Sequence, residues 1–306
     1  MVRAGSLTGR RGRTAILLAR LSRALEDITV ELDRGVALIT LNRPAQRNAY
    51  RAQMGAELGA AYRACDADDG VRVVVLTGAP PAFCAGADLS RREGTFGRPD
   101  ESFTAAAVDP PAWAIRKPVI AAVNGHAIGL GLTLALQCDV RFVAADASYG
   151  VVQVRRGVLP DAYSHWTLPR IAGLAAAADV LLSGRTFDGR EAKELGIASR
   201  CLPADEVLPA ALDVAHDIAV NVAPLSAALS KRLLWKAMDL GPEEVGRLET
   251  EFHRVVMGGP DAKEGVMAFL ERRDPEWTMR VSRDWPDSDR PSGGERETQS
   301  ERSERK

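Results

Sequence analysis

The run Val-Val-Val-Leu at residues 73–76 is the sequence feature that most constrains the fold. An uninterrupted apolar run of this length is typical of a strand that is covered on both faces, as in a parallel sheet between helices. Two further strands are predicted at Val119–Val123 and Val140–Ala144, and helix-like stretches at residues 130–136 and 164–168 alternate with them. This alternation predicts an α/β core.

The segment before this core predicts a hairpin and then a helix. Residues 28–32 and 36–41 alternate apolar and polar side chains on either side of Asp33-Arg34-Gly35, so Gly35 is expected in the turn. A helix is predicted next because apolar residues recur at helical spacing. These residues are Met54, Leu58, Ala61 and Cys65.

After about residue 205 only helical patterns follow. They are predicted near residues 207–222, 225–238, 243–256 and 262–272. Pro242 is expected to open one helix, and Asp261 with Glu264 has the spacing of a capping box. We therefore predict a core over residues 25–205 and a helical C-terminal subdomain over residues 206–281.

Both ends of the chain have the composition of tails. Residues 1–25 carry six Arg and no acidic residue, which resembles a transit peptide, but an unstructured extension or an over-long start is favoured for residues 1–24. In residues 282–306, 13 of 25 residues are charged and Trp285 is the only large apolar one. A disordered tail is predicted there.

Charge and cysteine usage narrow the class of protein. With 40 Lys and Arg against 41 Asp and Glu, the net charge of −1 does not favour nucleic acid or an acidic membrane as partner. No apolar stretch approaches the roughly 20 residues of a membrane span. The four cysteines fit neither a metal site nor a disulfide scaffold. We expect buried thiols, no metal and a cytoplasmic protein. The cysteines are Cys65, Cys84, Cys138 and Cys201.

Two glycine-containing turns, in residues 82–89 and 124–132, each follow a predicted strand. Such turns direct backbone N–H groups into a cleft, and two converging N–H groups would form an oxyanion hole. The alternative is that these glycines only allow tight turns or close packing. Neither segment reads Gly-x-Gly-x-x-Gly, and no P-loop Lys follows, so a nucleotide site is not favoured.

Several dispersed motifs stand in one order along residues 28–277. They are Leu41-Asn42-Arg43-Pro44 with Asn48-Ala49, residues 83–89, Lys117-Pro118 with Val123-Asn124-Gly125, Cys138-Asp139, Gly157 with Pro160, Leu195-Gly196-Ile197, and Lys263-Glu264-Gly265 with Phe269. In this order they resemble the crotonase (enoyl-CoA hydratase/isomerase) superfamily. The resemblance implies an α/β fold, a spiral of ββα units with a C-terminal helical subdomain, and an acyl-CoA thioester as substrate.

The resemblance also implies roles for individual residues. The thioester oxygen would accept hydrogen bonds from the N–H groups of Ala87 and Leu130, with Ala85 beside the substrate. Each such donor is typically worth roughly 3–4 kcal/mol in the transition state. No separate cofactor is expected, because coenzyme A is part of the substrate.

Contacts to coenzyme A are implied in the same way. The phosphates would meet Arg47 and Arg272, and Phe269 would cover the adenine. The family often takes the last two residues from a neighbouring subunit, so homotrimers or homohexamers are expected. The alternative for Phe269 and Arg272 is a charged helical face beside one core Phe. Ser90 stands where many relatives have Lys, and Arg91 and Arg92 follow it.

The bases depart from the hydratase pattern. Enoyl-CoA hydratases of this family place two glutamates where this chain has Thr133 and Gln153, and neither is a carboxylate. Asp161 stands where dienoyl-CoA isomerases carry an aspartate, so it is the predicted catalytic base. The alternative is that Asp161 caps the following helix. His165, one helical turn later, is a weaker candidate for orienting Asp161.

The sequence leaves three functions open. Double-bond isomerisation of an enoyl-CoA is favoured, because one base can remove a proton and return it two carbons away. Hydration of a 2-enoyl-CoA is the close alternative. A non-catalytic acyl-CoA binding protein is the third, since Thr133 and Gln153 replace the expected carboxylates.

Overall fold

A computed structural model describes residues 25–90 and 103–286. Within these ranges the chain forms ten strands, nine α-helices and two short 3-10 helices, at Pro44–Gln46 and Gln153–Arg156. The strands are β1 Ile28–Asp33, β2 Val36–Leu41, β3 Val73–Gly78, β4 Ala82–Cys84, β5 Val119–Val123, β6 His126–Ile128, β7 Val140–Ala144, β8 Tyr149–Gly150, β9 Thr186–Phe187 and β10 Arg200–Leu202. The helices are α1 Ala52–Ala67, α2 Leu130–Ala135, α3 Ser164–Ser183, α4 Gly189–Glu194, α5 Ala204–Asn221, α6 Pro224–Ala237, α7 Pro242–Val256, α8 Pro260–Glu271 and α9 Val281–Asp284.

Six strands form the larger sheet, in the order β1-β2-β3-β5-β7-β10. Strands β1 and β2 pair antiparallel as the predicted hairpin, and Gly35 in its turn has a φ of 85° that favours glycine. The other pairs are parallel. All six residues of β3 are buried, which confirms that its apolar run is covered on both faces.

Four short strands form the second sheet, in the order β4-β6-β8-β9. The chain passes from the larger to the smaller sheet before α2 and again before α3, so β5-β6-α2 and β7-β8-α3 are ββα units. This arrangement confirms the predicted α/β class. It also brings the ends of β4 and β6 side by side, because these two strands pair in parallel with Cys84 opposite Ala127.

Helix α5 lies at the start of the predicted helical subdomain of residues 206–281 and packs on the larger sheet. Its buried side chains pack into the same cluster as the sheet, and α5 contacts β3, β5 and β7. These side chains are Val207, Ala211, Ala215 and Ala219. Small residues on one face of α5 let the helix lie close to the strands. The helices with a separate buried cluster therefore follow α5.

A second, smaller cluster joins α6, α7 and the end of the described chain. It corrects the predicted start of the tail at residue 282, because α9 extends to Asp284 and Trp285 is 7% exposed. The Arg116 guanidinium lies 5.5 Å from the Trp285 ring centroid, and the Ser282 N–H donates to Asp69 Oδ1 at 3.1 Å. Burial of the Trp285 ring and its cation–π contact with Arg116 hold the end of the described chain against the core.

The capping box predicted at Asp261 and Glu264 is wrong. Helix α8 begins with Pro260 after an N-cap at Gly259, and the Asp261 carboxylate accepts the N–H groups of Thr278 and Met279 instead. Pro242 does open α7 as predicted. No helix in the described part of the chain combines the length and the apolar character needed to cross a bilayer.

The thiols of Cys65, Cys84 and Cys138 are buried, whereas Cys201 is partly exposed. Helix α3 is longer than the predicted segment at residues 164–168 and contains a break at Gly173, where φ is 79° and ψ is 162°. Its first residues follow directly on Asp161, so the break lies well beyond the site.

Candidate active site

The two glycine turns lie in direct contact. Gly86 has a φ of 93°, and a side chain on it would place Cβ 2.7 Å from the Ile128 oxygen. A Cβ on Gly131 would lie 2.1 Å from the Cys84 oxygen. Such distances exclude any side chain, so glycine here allows two backbone segments to approach each other. The turns after β4 and β6 therefore form one wall.

The first turn directs the N–H of Ala87 away from its neighbouring segment. Tyr50 and Ala87 form an isolated parallel bridge, in which Tyr50 N donates to the Gly86 oxygen at 2.7 Å and Asp88 N to the Tyr50 oxygen at 2.9 Å. In a parallel bridge the middle residue's own N–H points to the opposite side. Among the described residues, the Ala87 N–H has no acceptor.

The second turn opens α2 at Leu130. Gly129 precedes it with a φ of 55° and a ψ of −120°, a conformation that residues with a Cβ rarely adopt. The first N–H groups of a helix have no acceptor within that helix. In the described part of the chain the Leu130 N–H donates to no other group. Ala87 and Leu130 thus provide two unused donors on adjoining turns.

Asp161 is held beside this wall by two side chains. Gln153 Nε2 lies 3.1 Å from Asp161 Oδ1, and Thr133 Oγ1 lies 3.3 Å from the same oxygen. Thr133 has a second acceptor, the Leu130 oxygen at 3.2 Å, and only one hydroxyl proton to donate. Gln153 is therefore the undivided donor, and both contacts leave Asp161 Oδ2 to other partners.

Burial raises the pKa of the Asp161 carboxyl, and the hydrogen bonds from Thr133 and Gln153 lower that pKa in part. Burial disfavours the ionised form, whereas donors to the carboxylate favour it. A carboxylate with a raised pKa is a stronger base at neutral pH. The N-cap of α3 is Tyr163 and receives no side-chain cap, so the alternative that Asp161 caps this helix is wrong.

An ion pair supports the first donor. Arg43 Nη2 lies 2.8 Å from Asp88 Oδ2, and Asp88 follows Ala87 in the chain. Hydrogen bonds from Ser90 and then from Arg43 lower the pKa of Asp88 to about 2. Asp88 is therefore ionised across the physiological range, and its carboxylate ties the residue after Ala87 to Arg43 and Ser90.

Comparisons with known proteins identify the family of this chain. A profile of the enoyl-CoA hydratase/isomerase family matches residues 31–280. The chain belongs to the enoyl-CoA hydratase/isomerase family. The predicted membership of the crotonase superfamily is thereby confirmed, and the protein is an enzyme of this family that fits an acyl-CoA thioester substrate.

Individual relatives cover nearly the whole family domain. The "probable enoyl-CoA hydratase echA8" of Mycobacterium tuberculosis is 36% identical over 258 residues, which are 83% of this chain and 99% of the relative. A crystal structure described as a "probable enoyl-CoA hydratase/isomerase" from Mycobacterium abscessus has a TM-score of 0.80 and 52% identity, covering 83% of this chain and 99% of that chain. The enoyl-CoA hydratase structure from Mycobacterium tuberculosis H37Rv has a TM-score of 0.75 and 32% identity, with coverages of 82% and 98%. These matches confirm the crotonase fold.

The predicted contacts near the turns lie together. Ala85 N donates to the Arg47 oxygen at 3.0 Å, so both residues adjoin the turn that carries Ala87. The Arg47 side chain is exposed, and the Arg47 backbone has a φ of 50°. An exposed guanidinium at this position can reach a phosphate from solvent. Ser90 is exposed as well, and the predicted cations Arg91 and Arg92 lie outside the described residues.

The predicted contacts from the C-terminal helices lie in a different place. Phe269 is 82% exposed and lines a groove of about 540 Å³ formed by residues 223–279. Arg272, which ends α8 with a φ of 55°, is exposed. None of the residues that line this groove belongs to the segments that hold Asp161, Ala87 or Leu130. A single copy therefore does not place Phe269 in the candidate active site.

His165 is exposed, whereas the side chains that hydrogen-bond the Asp161 carboxylate are Thr133 and Gln153. Tyr50 was missed by sequence reasoning. Its hydroxyl donates to the Ala107 oxygen at 2.6 Å, and burial, followed by the charge of Asp161, raises the pKa of Tyr50 to about 12. Tyr50 is therefore neutral at physiological pH, pairs with the Ala87 turn through its backbone and feels the charge of Asp161. Nothing in the sequence around Tyr50 indicates that it contacts the Ala87 turn.

Proposed function

We propose that the protein isomerises the double bond of an enoyl-CoA thioester, with Asp161 as the base that moves the proton. The Ala87 and Leu130 N–H groups stabilise the enolate oxygen. The Asp161 carboxylate removes a proton from C2 of a 3-enoyl thioester, and the electron pair spreads over the thioester oxygen and C4. The same carboxyl group then returns the proton to C4, which leaves a 2-enoyl thioester of unchanged composition.

One observation carries this proposal. Thr133 and Gln153, which stand where hydratases of the family carry glutamates, both hydrogen-bond the Asp161 carboxylate. The two positions thus support a single base and supply no second carboxylate. Isomerisation needs one proton acceptor that becomes a donor, and the raised pKa of Asp161 suits both halves of that role.

Hydration of a 2-enoyl-CoA is the second candidate, favoured by the names of the relatives, which are mostly hydratases. Here Asp161 would activate a water molecule that adds to C3. Gln153 has a side-chain oxygen that is buried and without a partner in the described chain. A water molecule can donate a hydrogen bond to such an oxygen.

The deciding experiment supplies the protein with 2-enoyl-, 3-enoyl- and dienoyl-CoA thioesters in D₂O. Isomerisation keeps the substrate mass, apart from exchanged deuterium, and changes the absorbance of the conjugated thioester. Hydration adds the mass of one D₂O molecule. Conversion of 3-enoyl-CoA with no hydrated product supports the proposal, and a product that is only hydrated overturns it. Binding without either product would favour a non-catalytic protein.

A further inference from the structure

The turn that carries Asp161 has an unusual backbone. Ala162 and Tyr163 follow it with φ values of 48° and 63°, and neither is glycine. The left-handed region is disfavoured for residues with a Cβ, because Cβ approaches the following carbonyl oxygen. Two successive residues of this kind persist only where surrounding contacts hold them. The groups that hold this turn therefore also fix the place of the Asp161 backbone.

Two contacts hold the Ala162 peptide groups. Its N–H donates to the Ala105 oxygen at 2.8 Å, and its carbonyl oxygen accepts Gln137 Nε2 at 3.2 Å. Gln137 is 1% exposed, and its Oε1 is buried with no partner in the described chain. A buried amide with one unsatisfied atom is unfavourable for folding, whereas an apolar side chain of the same length would not be. The contact with Ala162 is thus what this glutamine contributes.

One helical face joins this contact to the rest of the site. Leu130, Thr133 and Gln137 are spaced i, i+3 and i+7 along α2 and the turn that continues it, where Leu136 is still right-handed helical. Residues at this spacing share one side of a helix. The same short segment therefore presents an unused N–H, a hydroxyl group near Asp161 Oδ1 and an amide bound to Ala162.

We propose that Gln137 is a positioning residue, which fixes the Asp161 carboxylate relative to the Ala87 and Leu130 donors by holding the Ala162 carbonyl. This inference rests on the proposed function, in which Asp161 is the base. A displacement of about 1 Å in an active site lowers rates by up to roughly 100-fold. The competing explanation is that Gln137 only satisfies a buried carbonyl and stabilises the fold.

The test compares Gln137→Met with Thr77→Val. Methionine matches the length of glutamine without donating a hydrogen bond. Thr77 is also buried and its hydroxyl donates to a backbone oxygen, that of Ala122 at 2.9 Å, so Thr77→Val removes a similar bond on β3. Both variants are expected to lower the thermal midpoint. Only Gln137→Met is expected to lower kcat on the best enoyl-CoA substrate, by about 5–50-fold with KM within about twofold.

The pH profile gives a readout that a structural role would not move. Without the Gln137 contact to Ala162, the Asp161 carboxylate becomes better hydrated and its pKa falls. The acid limb of kcat/KM should therefore move to lower pH in Gln137→Met and stay in place in Thr77→Val. Gln137→Glu is the conservative variant: a buried carboxyl group stays protonated and its O–H donates to the Ala162 oxygen. It should retain most of the wild-type kcat, and it serves if Gln137→Met does not fold.

Asp161→Asn, measured in parallel, separates the two hypotheses. If Asp161→Asn keeps its activity, the proposed function fails and the base lies elsewhere. If Asp161→Asn is inactive while a folded Gln137→Met keeps the wild-type kcat and pH profile, only the positioning role of Gln137 is overturned. Should Gln137→Met not fold, a low kcat in folded Gln137→Glu overturns it instead.

Discussion

Residues 25–222, which end with α5, bury most of their large apolar side chains, whereas residues 223–286 leave many of theirs exposed. Residues 25–222 bury one continuous cluster around the larger sheet, whereas residues 223–286 bury only a small one. Yet eight of the sixteen exposed large apolar side chains among the described residues belong to the second, much shorter region. They are Leu234, Met238, Leu240, Met257, Val266, Met267, Phe269 and Leu270.

This difference suits the candidate active site to the first region and contacts with other copies to the second. The candidate active site consists of backbone N–H groups and a carboxylate within the packed first region, so its geometry depends on contacts inside one copy. For its length, the second region has more exposed large apolar side chains than the first, and clustered apolar surface is typical of interaction sites. The expectation of trimers or hexamers places a further copy of the chain on that surface. Changes in the first region should then alter catalysis, and changes in the second should alter assembly.

The largest expected effect is on catalysis. Asp161→Asn should lower kcat by about 100-fold to 10,000-fold, as expected for a positioned general base. Affinity for the acyl-CoA should change little, because the Ala87 and Leu130 donors remain. Steady-state kinetics and a binding titration check both statements. A shift in oligomeric state in this variant would contradict the separation of the two regions.

Gln153→Ala and Thr133→Ala serve as the matched controls for that variant. Neither residue has a titratable group, so both changes should lower kcat less than Asp161→Asn does. An equal loss in Gln153→Ala would indicate that the amide itself takes part in the reaction.

The next effect tests how the two regions are joined. A chain ending at Arg280 loses the buried Val281 and Trp285, and Arg116 loses its contacts with both. Removing a buried Trp side chain typically lowers the free energy of unfolding by about 3–5 kcal/mol. The thermal midpoint should fall markedly, whereas a chain ending at Pro286 should keep the wild-type midpoint. Equal midpoints for the two truncated chains would contradict the docking of α9.

A smaller effect is expected on association. Phe269→Ser with Leu270→Ser removes two exposed apolar side chains from α8, of which Phe269 lines the C-terminal groove. If copies meet there, the dissociation constant should rise by at least about tenfold. Light scattering across micromolar concentrations measures this. The control is Leu174→Ser, since Leu174 is similarly exposed on α3 in the first region. A wild-type protein that is already monomeric would overturn the expected assembly.

The sequence predicted the larger sheet well and the smaller one poorly. Strands β5 and β7 have the predicted bounds, because apolar runs between turn residues mark buried strands directly. Strands β6, β8 and β9 are two or three residues long and too short to show a period. The capping box failed because Asp261 binds backbone N–H groups 17 and 18 residues later, which local spacing does not reveal.

The candidate site was predicted only with the family resemblance. Glycine spacing alone did not distinguish an oxyanion hole from tight turns. The position of Asp161 before a helix did not distinguish a catalytic base from a helix cap. The contacts of Thr133 and Gln153 with Asp161 depend on how α2 and the segment after β8 meet in space. Gln137 had one usable signal, because it and Thr133 are the two polar residues of the otherwise apolar segment 130–137.

The smallest expected effect is a shift in pH dependence within the first region. A carboxylate acts as a base only when ionised, so the proposed role of Asp161 predicts activity above its pKa that is lost as the pH falls through that pKa. Gln153→Met removes the undivided donor to the carboxylate, which destabilises the ionised form. The acid limb of kcat/KM should therefore move to higher pH, by about one unit.

Thr133→Val should shift the same limb in the same direction but by less. The single hydroxyl proton of Thr133 is divided between Asp161 Oδ1 and the Leu130 oxygen, so its removal costs the ionised carboxylate only part of a hydrogen bond. Valine preserves the shape of the side chain. Profiles measured on the same substrate order the three proteins as wild type, Thr133→Val and Gln153→Met. Equal shifts would mean that Thr133 donates to Asp161 alone, and a shift to lower pH would mean that the titrating base is not Asp161.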